Sequence, residues 1–413
     1  MQSVAQGWLV FRLTDSAFAL GVVGFCSFAP VLFLALPAGV VADRVPRRAA
    51  LAWTQSAAMA LALALAALTL SGLIRPWHVA ALAFGLGTVQ AIDMPLRQSL
   101  LHDLVGRDDL PNAIALNSLA FNGARFLGPV LAGLLLVRWG EGWVFLLNGL
   151  SFAAVLLAVA RMDAPGRRPR TGSGWWAEMR QGLEHAAREP RMRVMLILVV
   201  VSSVFAMPYS ILLPVFARDV LGVGPGGLGM MTGATGLGAM TAAFGLAAWR
   251  GRLRAGRIVA AALALAGASL IGFSLSRLVW LSLGLLFVTG GAMLTQMATS
   301  NTMLQLMSPP ELRGRIIGLY TLAFVGMAPL GSLLAGSLAA GVGTRQTVGL
   351  GGIACLVAAA WLVTRLPGLR AAAEAVPLRE KPASRGGPVA GVTDETGAPG
   401  RGPVAPETSV PGG

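Results

Sequence analysis

One lysine, Lys381, stands among the 413 residues, and a Walker A loop needs a Lys to reach nucleotide phosphates. ATP hydrolysis is therefore excluded. Charge is scarce as well: 12% of the residues are charged, against roughly 25% in a soluble globular domain. The two cysteines, Cys26 and Cys355, both lie inside apolar runs, where a free thiol behaves as a small buried hydrophobe. The three histidines, His78, His102 and His185, are scattered without ligand spacing. Metal chemistry has no support, and no cofactor is expected.

Apolar length fills the space that charge leaves. Hydrophobic residues make up 55% of the chain and 53 positions are Gly. A bilayer core of about 30 Å needs roughly 20 apolar residues per helix, and uncharged runs of that order recur along almost the whole sequence. They fall near 1–12, 17–41, 49–71, 77–101, 112–137, 143–161, 192–217, 227–249, 256–275, 279–305, 315–341 and 346–365. The periodicity thus predicts an all-α integral membrane protein of twelve spans, the first short. The lipid bilayer is its first partner.

A formal net charge of +14 could suggest nucleic acid, but the placement of the charge argues otherwise. Counted by loop, 24 of the 32 basic residues fall on one side: Arg44, Arg47 and Arg48; Arg107; eight between Arg161 and Arg193; four between Arg250 and Arg257; Arg313 and Arg315; and six from Arg365 onward. The other side holds six, one per loop: Arg12, Arg75, Arg138, Arg218, Arg277 and Arg345. Arg97 and Arg125 lie within spans and complete the 32. By the positive-inside rule the rich side is cytoplasmic, with both termini on it. No nucleic-acid partner is implied. Trp77, Trp139, Trp143, Trp249 and Trp280 stand at span ends, where amphipathic rings prefer the headgroup level.

Residues 162–191 join two sets of six spans. Trp175, Trp176, Met179, Leu183 and Ala187 recur there at helical spacing amid charges, which predicts an interfacial amphipathic helix. From about residue 367 the chain turns rich in Pro, Gly and small polar types and is expected to be a disordered tail. The expected organisation is a helix bundle over 1–161, a cytoplasmic linker over 162–191, a second bundle over 192–366 and a tail over 367–413.

An internal repeat supports two related halves. A shift of 203 residues lays 113–133 over 316–336 with 11 of 21 positions identical, Gly128 falling on Gly331 and Gly133 on Gly336. The same offset brings Phe84 onto Phe287, Gly87 onto Gly290 and Met94 onto Met297 without a gap. Parallel six-plus-six halves related by an axis along the membrane normal are a transporter architecture, with the solute site at their interface near the midplane.

Between spans two and three, Gly39, Asp43, Arg44, Arg47 and Arg48 are spaced as in the signature loop of the major facilitator superfamily, with Pro46 where that family usually has Gly. In span five, Gly128, Pro129 and Gly133 resemble the antiporters' GPxxGG element, with Ala132 in place of one Gly. The stretches 5–25, 93–105 and 112–129 are similar to the branch holding enterobactin exporters and related drug:proton antiporters. The resemblance covers about residues 1–366. It implies a major facilitator fold, a cytoplasmic latch at Asp43 and Arg44, and proton-coupled efflux of small amphiphilic compounds, drugs or siderophores by a probable-monomer architecture in a bacterial inner (plasma) membrane. Members of that branch carry a longer segment ahead of the position matching Met1. Eleven residues before Arg12 rise only about 17 Å, so a misassigned start or a fragment is expected.

Ionisable groups inside a bilayer are costly, so each asks for a reason. Of 18 acidic residues only Asp93 lies in a span, with Arg97 four residues on along the same helix face. Asp93 reads either as a proton-coupling carboxylate or as a structural partner of Arg44 or Arg97. Arg125, near mid-depth in span five, is the best single candidate for contact with an anionic solute group or for a fixed counter-ion. Asn117, Asn122, Asn148, Gln296 and Asn301 could complete a polar cavity, although each alone is commonly interhelical glue. The counterparts of Arg125 and Asp93 in the second half are Ala328 and Gln296, which makes the cavity electrically lopsided. Pro208, Pro214 and Pro329 interrupt spans seven and eleven and offer places to bend. An integral-membrane enzyme would want paired carboxylates or a Ser with a His partner near a membrane surface, and neither is found. Solute uptake by the same fold, or a non-transporting sensor or scaffold, are the rival readings.

Overall fold

A computed structural model describes residues 1–44, 46–104, 109–162, 175–248, 255–309 and 312–374. Among them there is no strand. The first six crossings are α1 (Gln2–Thr14), α2 (Ala17–Arg44), α3 (Arg47–Leu70), α4 (Pro76–Leu104), α5 (Leu110–Trp139) and α6 (Glu141–Ala160). A linker helix, α7 (Trp175–Arg188), follows. The seventh crossing is broken: α8 (Pro190–Val201), a π-helical turn at Ser202–Ala206, α9 (Tyr209–Val215) and a second π turn at Phe216–Val220. Then come α10 (Gly224–Ala248), α11 (Ala255–Leu275) and α12 (Val279–Met307). The eleventh crossing is α13 (Arg313–Thr321), a π turn at Leu322–Gly326 and α14 (Ala328–Val342); the last is α15 (Thr344–Glu374). All twelve expected spans are present, and nine are long and apolar enough to cross a membrane on those criteria alone among the described residues.

Helix ends follow local chemistry. Asp15 closes α1 in the left-handed region, φ 49°, a conformation Asp tolerates better than most residues, and its N–H bonds the Phe11 carbonyl at 2.9 Å. Gly140, φ 79°, ends α5 and opens α6 without a loop.

Residues 1–370 pack as one unit and 371–413 form another. Inside the first, helices approach through glycine. A Cβ built on Gly87 of α4 would stand 2.3 Å from the Ser27 carbonyl oxygen of α2, and one on Gly290 of α12 would stand 2.0 Å from the Thr235 carbonyl oxygen of α10. These two glycines are the ones the 203-residue offset superposes. The repeat is thus a repeat of helix contacts, since only a residue without a side chain lets two backbones meet so closely.

Two expectations need correction. The chain does not leave regular structure at residue 367: α15 continues to Glu374. Leu369 to Glu374 is rich in Ala, Leu and Arg, and extending an existing helix costs little once nucleated. Residues 375–413 lie outside the described ones. The breaks in crossings seven and eleven are not plain proline kinks either. Each is a π turn: one ends two residues before Pro208, one directly follows Pro214 and Val215, and one ends three residues before Pro329. Of the predicted anchors, Trp77, Trp139, Trp143 and Trp280 are exposed, and Trp249 lies outside the described residues.

Candidate functional site

The two halves meet along two seams. On one, a Cβ on Gly133 of α5 would fall 2.8 Å from the Gly229 Cα of α10, and one on Gly229 would fall 2.8 Å from the Pro129 carbonyl oxygen. One turn further, Gly233 faces the Val130 side chain, and a turn beyond that a Cβ on Gly236 would fall 2.7 Å from the Arg125 carbonyl oxygen. On the other, a Cβ on Gly21 of α2 would fall 2.8 Å from the Gly336 Cα of α14, Gly24 faces the Ser332 side chain, and Gly326 faces the Leu32 side chain. Gly133 and Gly336 are again repeat equivalents. Both seams lie toward the end that carries the arginine-poor loops. There the halves are also joined by charge: Arg218 pairs with Asp15 and with Asp219, and its guanidinium lies 4.1 Å from the centre of the Phe11 ring.

Arg125 stands where the first seam ends. Its backbone is clasped by Gly236, while its side chain is exposed. In the opposite half Tyr209 of α9 is buried. Thr235 of α10 donates its hydroxyl proton to the Met231 carbonyl at 3.1 Å.

Asp93 and Arg97 are brought together as their spacing predicts, Nε to Oδ2 at 2.6 Å. The structure adds Thr54 and Gln55 of α3, which both donate to Asp93 Oδ1, at 2.7 and 2.6 Å. The repeat equivalents of Asp93 and Arg97, Gln296 and Ser300, form a neutral pair at 3.4 Å with the same i,i+4 spacing. Gln296 is fully buried, and its Oε1, like the Gln55 Oε1, has no hydrogen-bond partner among the described residues.

The expected polar cavity is not assembled from all of its candidates. Asn117 is exposed on α5, and the Asn122 side chain lies outside the described ones. Asn148 instead donates to Gln2 at 2.7 Å and ties α6 to α1. Asn301 accepts from Gln305 on its own helix at 3.1 Å. Of the signature loop, α2 runs to Arg44 and α3 begins at Arg47, but the side chains of Gly39, Asp43, Arg44 and Arg47 lie outside the described ones. Arg48 donates to the Ala160 carbonyl at the end of α6. Gly128 faces the backbone nitrogen of Met1, and Gly331 faces the backbone of Ser203 and Val204, so both serve packing within their own half.

Solved structures share this fold. A bacterial homologue of the human lysosomal transporter Spinster, in an inward-facing and occupied conformation, superposes with TM-score 0.67 at 15% identity over 88% of this chain and 92% of its own. A peptide transporter of the POT type in complex with alafosfalin gives TM-score 0.69 at 16% identity over 89% and 91%. Among sequences, the staphyloferrin A transporter of Staphylococcus aureus is 32% identical over 158 residues, 38% of this chain and 40% of that transporter's length. The multidrug efflux pump Tap of Mycolicibacterium fortuitum is 26% identical over 83% of this chain and 86% of its own. The family model described as transmembrane secretion effector matches residues 1–390, and so, with the seams and the repeat in place, the chain belongs to that family of major facilitator transporters.

Proposed function

We propose that the chain is a proton-driven exporter of small amphiphilic compounds, drugs or siderophores, working by alternating access in a bacterial plasma membrane with both termini in the cytoplasm. The observation that carries the reading is the pair of repeat-related seams, α5 against α10 and α2 against α14, closed at one end of the molecule. Alternating access requires such a contact to form on one side of a central site while the other side parts. Export is supported by the likeness to the multidrug efflux pump Tap, and transport of a small compound by the likeness to the staphyloferrin A transporter. Orientation is supported by the 24-to-6 division of basic residues, and independence from ATP by the single lysine outside any phosphate loop. Each half carries its own share of the seams within one chain, so a monomer suffices for the cycle.

Asp93 lies well inside α4, away from the helix ends, and it is the candidate for proton binding; Arg97, Thr54 and Gln55 hold it ready. The test uses proteoliposomes containing the protein and a trapped pH dye, an imposed proton gradient, and a panel of siderophores and cationic dyes. Compound-triggered proton flux supports coupled antiport. Flux from none of them, with the protein verified as folded, would refute it.

A further inference from the structure

We propose that each half of the chain holds one anionic phospholipid, in an apolar groove on the bilayer face that ends on an arginine at the arginine-rich end of the molecule. The inference needs a membrane-embedded chain and does not depend on what is transported. One groove, of about 530 Å³, lies between α11 and α15. The two helices touch near their middles, where a Cβ on Gly267 would fall 2.6 Å from the Gly352 carbonyl oxygen and one on Gly352 would fall 2.7 Å from the Gly267 carbonyl oxygen. Toward the start of α11 and the end of α15 the space between them is lined by Ala260, Ala261 and Ala264 on one side and by Ala359 and Ala360 on the other, and single methyl groups do not fill it. Ala261 and Ala360 are exposed, so the groove opens on the outer surface, where the lipid lies. Arg257 shares the helix face of the three alanines by its i, i+3, i+4, i+7 spacing and stands at the groove's mouth.

Length and charge select the occupant. Gly267 lies ten residues beyond Arg257, about 15 Å along the helix, which is half of a bilayer core of about 30 Å. The groove therefore has the depth of one leaflet, and an acyl chain lying in it brings its headgroup to Arg257. That arginine is exposed and has no ion-pair partner among the described residues, and neither groove is lined by an acidic side chain. A guanidinium pairs with phosphate through two parallel N–H donors, and a headgroup of net negative charge is preferred because choline would bring a second cation to the same place. The first half repeats the arrangement. There a Cβ on Gly149 of α6 would fall 2.7 Å from the Leu63 side chain of α3, and nearer the arginine-rich end of this helix pair lies a groove of about 590 Å³ that Arg48 helps to line. The 203-residue offset lays Gly149 on Gly352, Leu156 on Ala359 and Ala160 on Val363, and the last two pairs line the two grooves. Arg48 spends one of its five N–H donors on the Ala160 carbonyl, which holds it at the groove and leaves four.

The test titrates the full chain, in mild detergent, with palmitoyl-oleoyl phosphatidylglycerol or with the matching phosphatidylcholine, and counts bound lipids by native mass spectrometry. Two equivalents of phosphatidylglycerol should bind about fivefold more tightly than phosphatidylcholine. Arg257→Gln should leave one such equivalent, and Arg257→Gln with Arg48→Gln none. Ala360→Leu fills the α11–α15 groove from its open side and should weaken one equivalent of either lipid, because it acts on the acyl chain and not on the headgroup. Arg313→Gln, at an exposed arginine of the same end outside both grooves, should change nothing. Equal affinity for the two lipids, a count of tight equivalents unaltered by Arg257→Gln in folded protein, or an equal loss in Arg313→Gln would overturn the proposal, the last by showing bulk charge at work. Full displacement of the lipid by millimolar glycerol 3-phosphate would overturn it too, since a headgroup alone would then suffice. So would a dimer that retains no lipid, which would assign the grooves to a second copy of the chain.

Discussion

Replacing Arg218 by Ala should open the arginine-poor end of the molecule. Arg218 reaches Asp15 across the halves, and the two positions are 203 residues apart, the offset of the internal repeat. Equivalent positions that touch one another must lie close to the axis that relates the halves, so this pair cannot survive their separation at that end. Its strength follows from its surroundings. The side chains are 36% and 72% exposed, which limits the ion pair to about 0.5–1 kcal/mol. The guanidinium over the Phe11 ring adds about 0.5–1 kcal/mol. Together that is about 1–2 kcal/mol, a shift of roughly five- to thirtyfold in the ratio of closed to open forms. Spin labels at the exposed Leu73 and Leu278, one in each half at this end, would report the two populations by pulsed EPR in nanodiscs. Asp15→Asn tolerates the left-handed backbone and keeps Phe11, so it should produce about the ionic half of the shift. High salt should imitate Asp15→Asn and do little to Arg218→Ala. Unchanged distance distributions in Arg218→Ala at low salt would refute the argument.

Three further outcomes follow from the same contacts. Gly133→Ala drives a Cβ to 2.8 Å from the Gly229 backbone and should lower flux in proteoliposomes about tenfold, whereas Gly123→Ala on the same helix, with nothing within 4 Å of the new carbon, should stay within about twofold. Gly238→Ala would place its Cβ 1.8 Å from the Phe287 carbonyl oxygen, inside one half, and should destabilise the protein by about 3 kcal/mol in a thermal or denaturant unfolding assay. Asp93→Asn keeps an acceptor for Thr54 and Gln55 and should leave assembly intact by size-exclusion chromatography while abolishing compound-triggered proton flux; undiminished proton flux in that variant would remove Asp93 from the coupling role.

Legibility in the sequence divides along the range of the interaction. The twelve crossings were visible because apolar length and alternating arginine are read along the chain, and the Asp93–Arg97 pair because i,i+4 spacing is a property of one helix. Thr54 and Gln55 were not visible, since their meeting with Asp93 depends on how α3 is rotated against α4. Glycine-rich spans with apolar residues all round give no face to predict. Asn148 and Asn301 were grouped with Arg125 for that reason, and the structure uses them elsewhere. The π turns in crossings seven and eleven escaped because an extra residue per turn leaves no compositional mark. Asp15 with Arg218 is different. The offset that aligned the glycines also aligned these two, and a repeat axis makes their meeting a deduction.

The repeat is kept where it packs and broken where it is charged. Gly87 and Gly290, or Gly133 and Gly336, make the same kind of close approach in each half, because each helix pair must be packed whichever half it belongs to. Charges obey another constraint. Near a two-fold axis a residue faces its own equivalent, so a faithful repeat of Asp15 would set carboxylate against carboxylate, and a faithful repeat of Arg218 would set guanidinium against guanidinium. Either pair repels, by about 4 kcal/mol at 4 Å in a surface dielectric near 20. An ionic contact on the axis therefore exists only if the two halves have diverged there. The halves diverge at mid-depth as well, where Arg125 answers to Ala328 and Asp93 with Arg97 answers to Gln296 with Ser300. Divergence from the repeat, more than any motif, marks the positions where this chain does something besides fold.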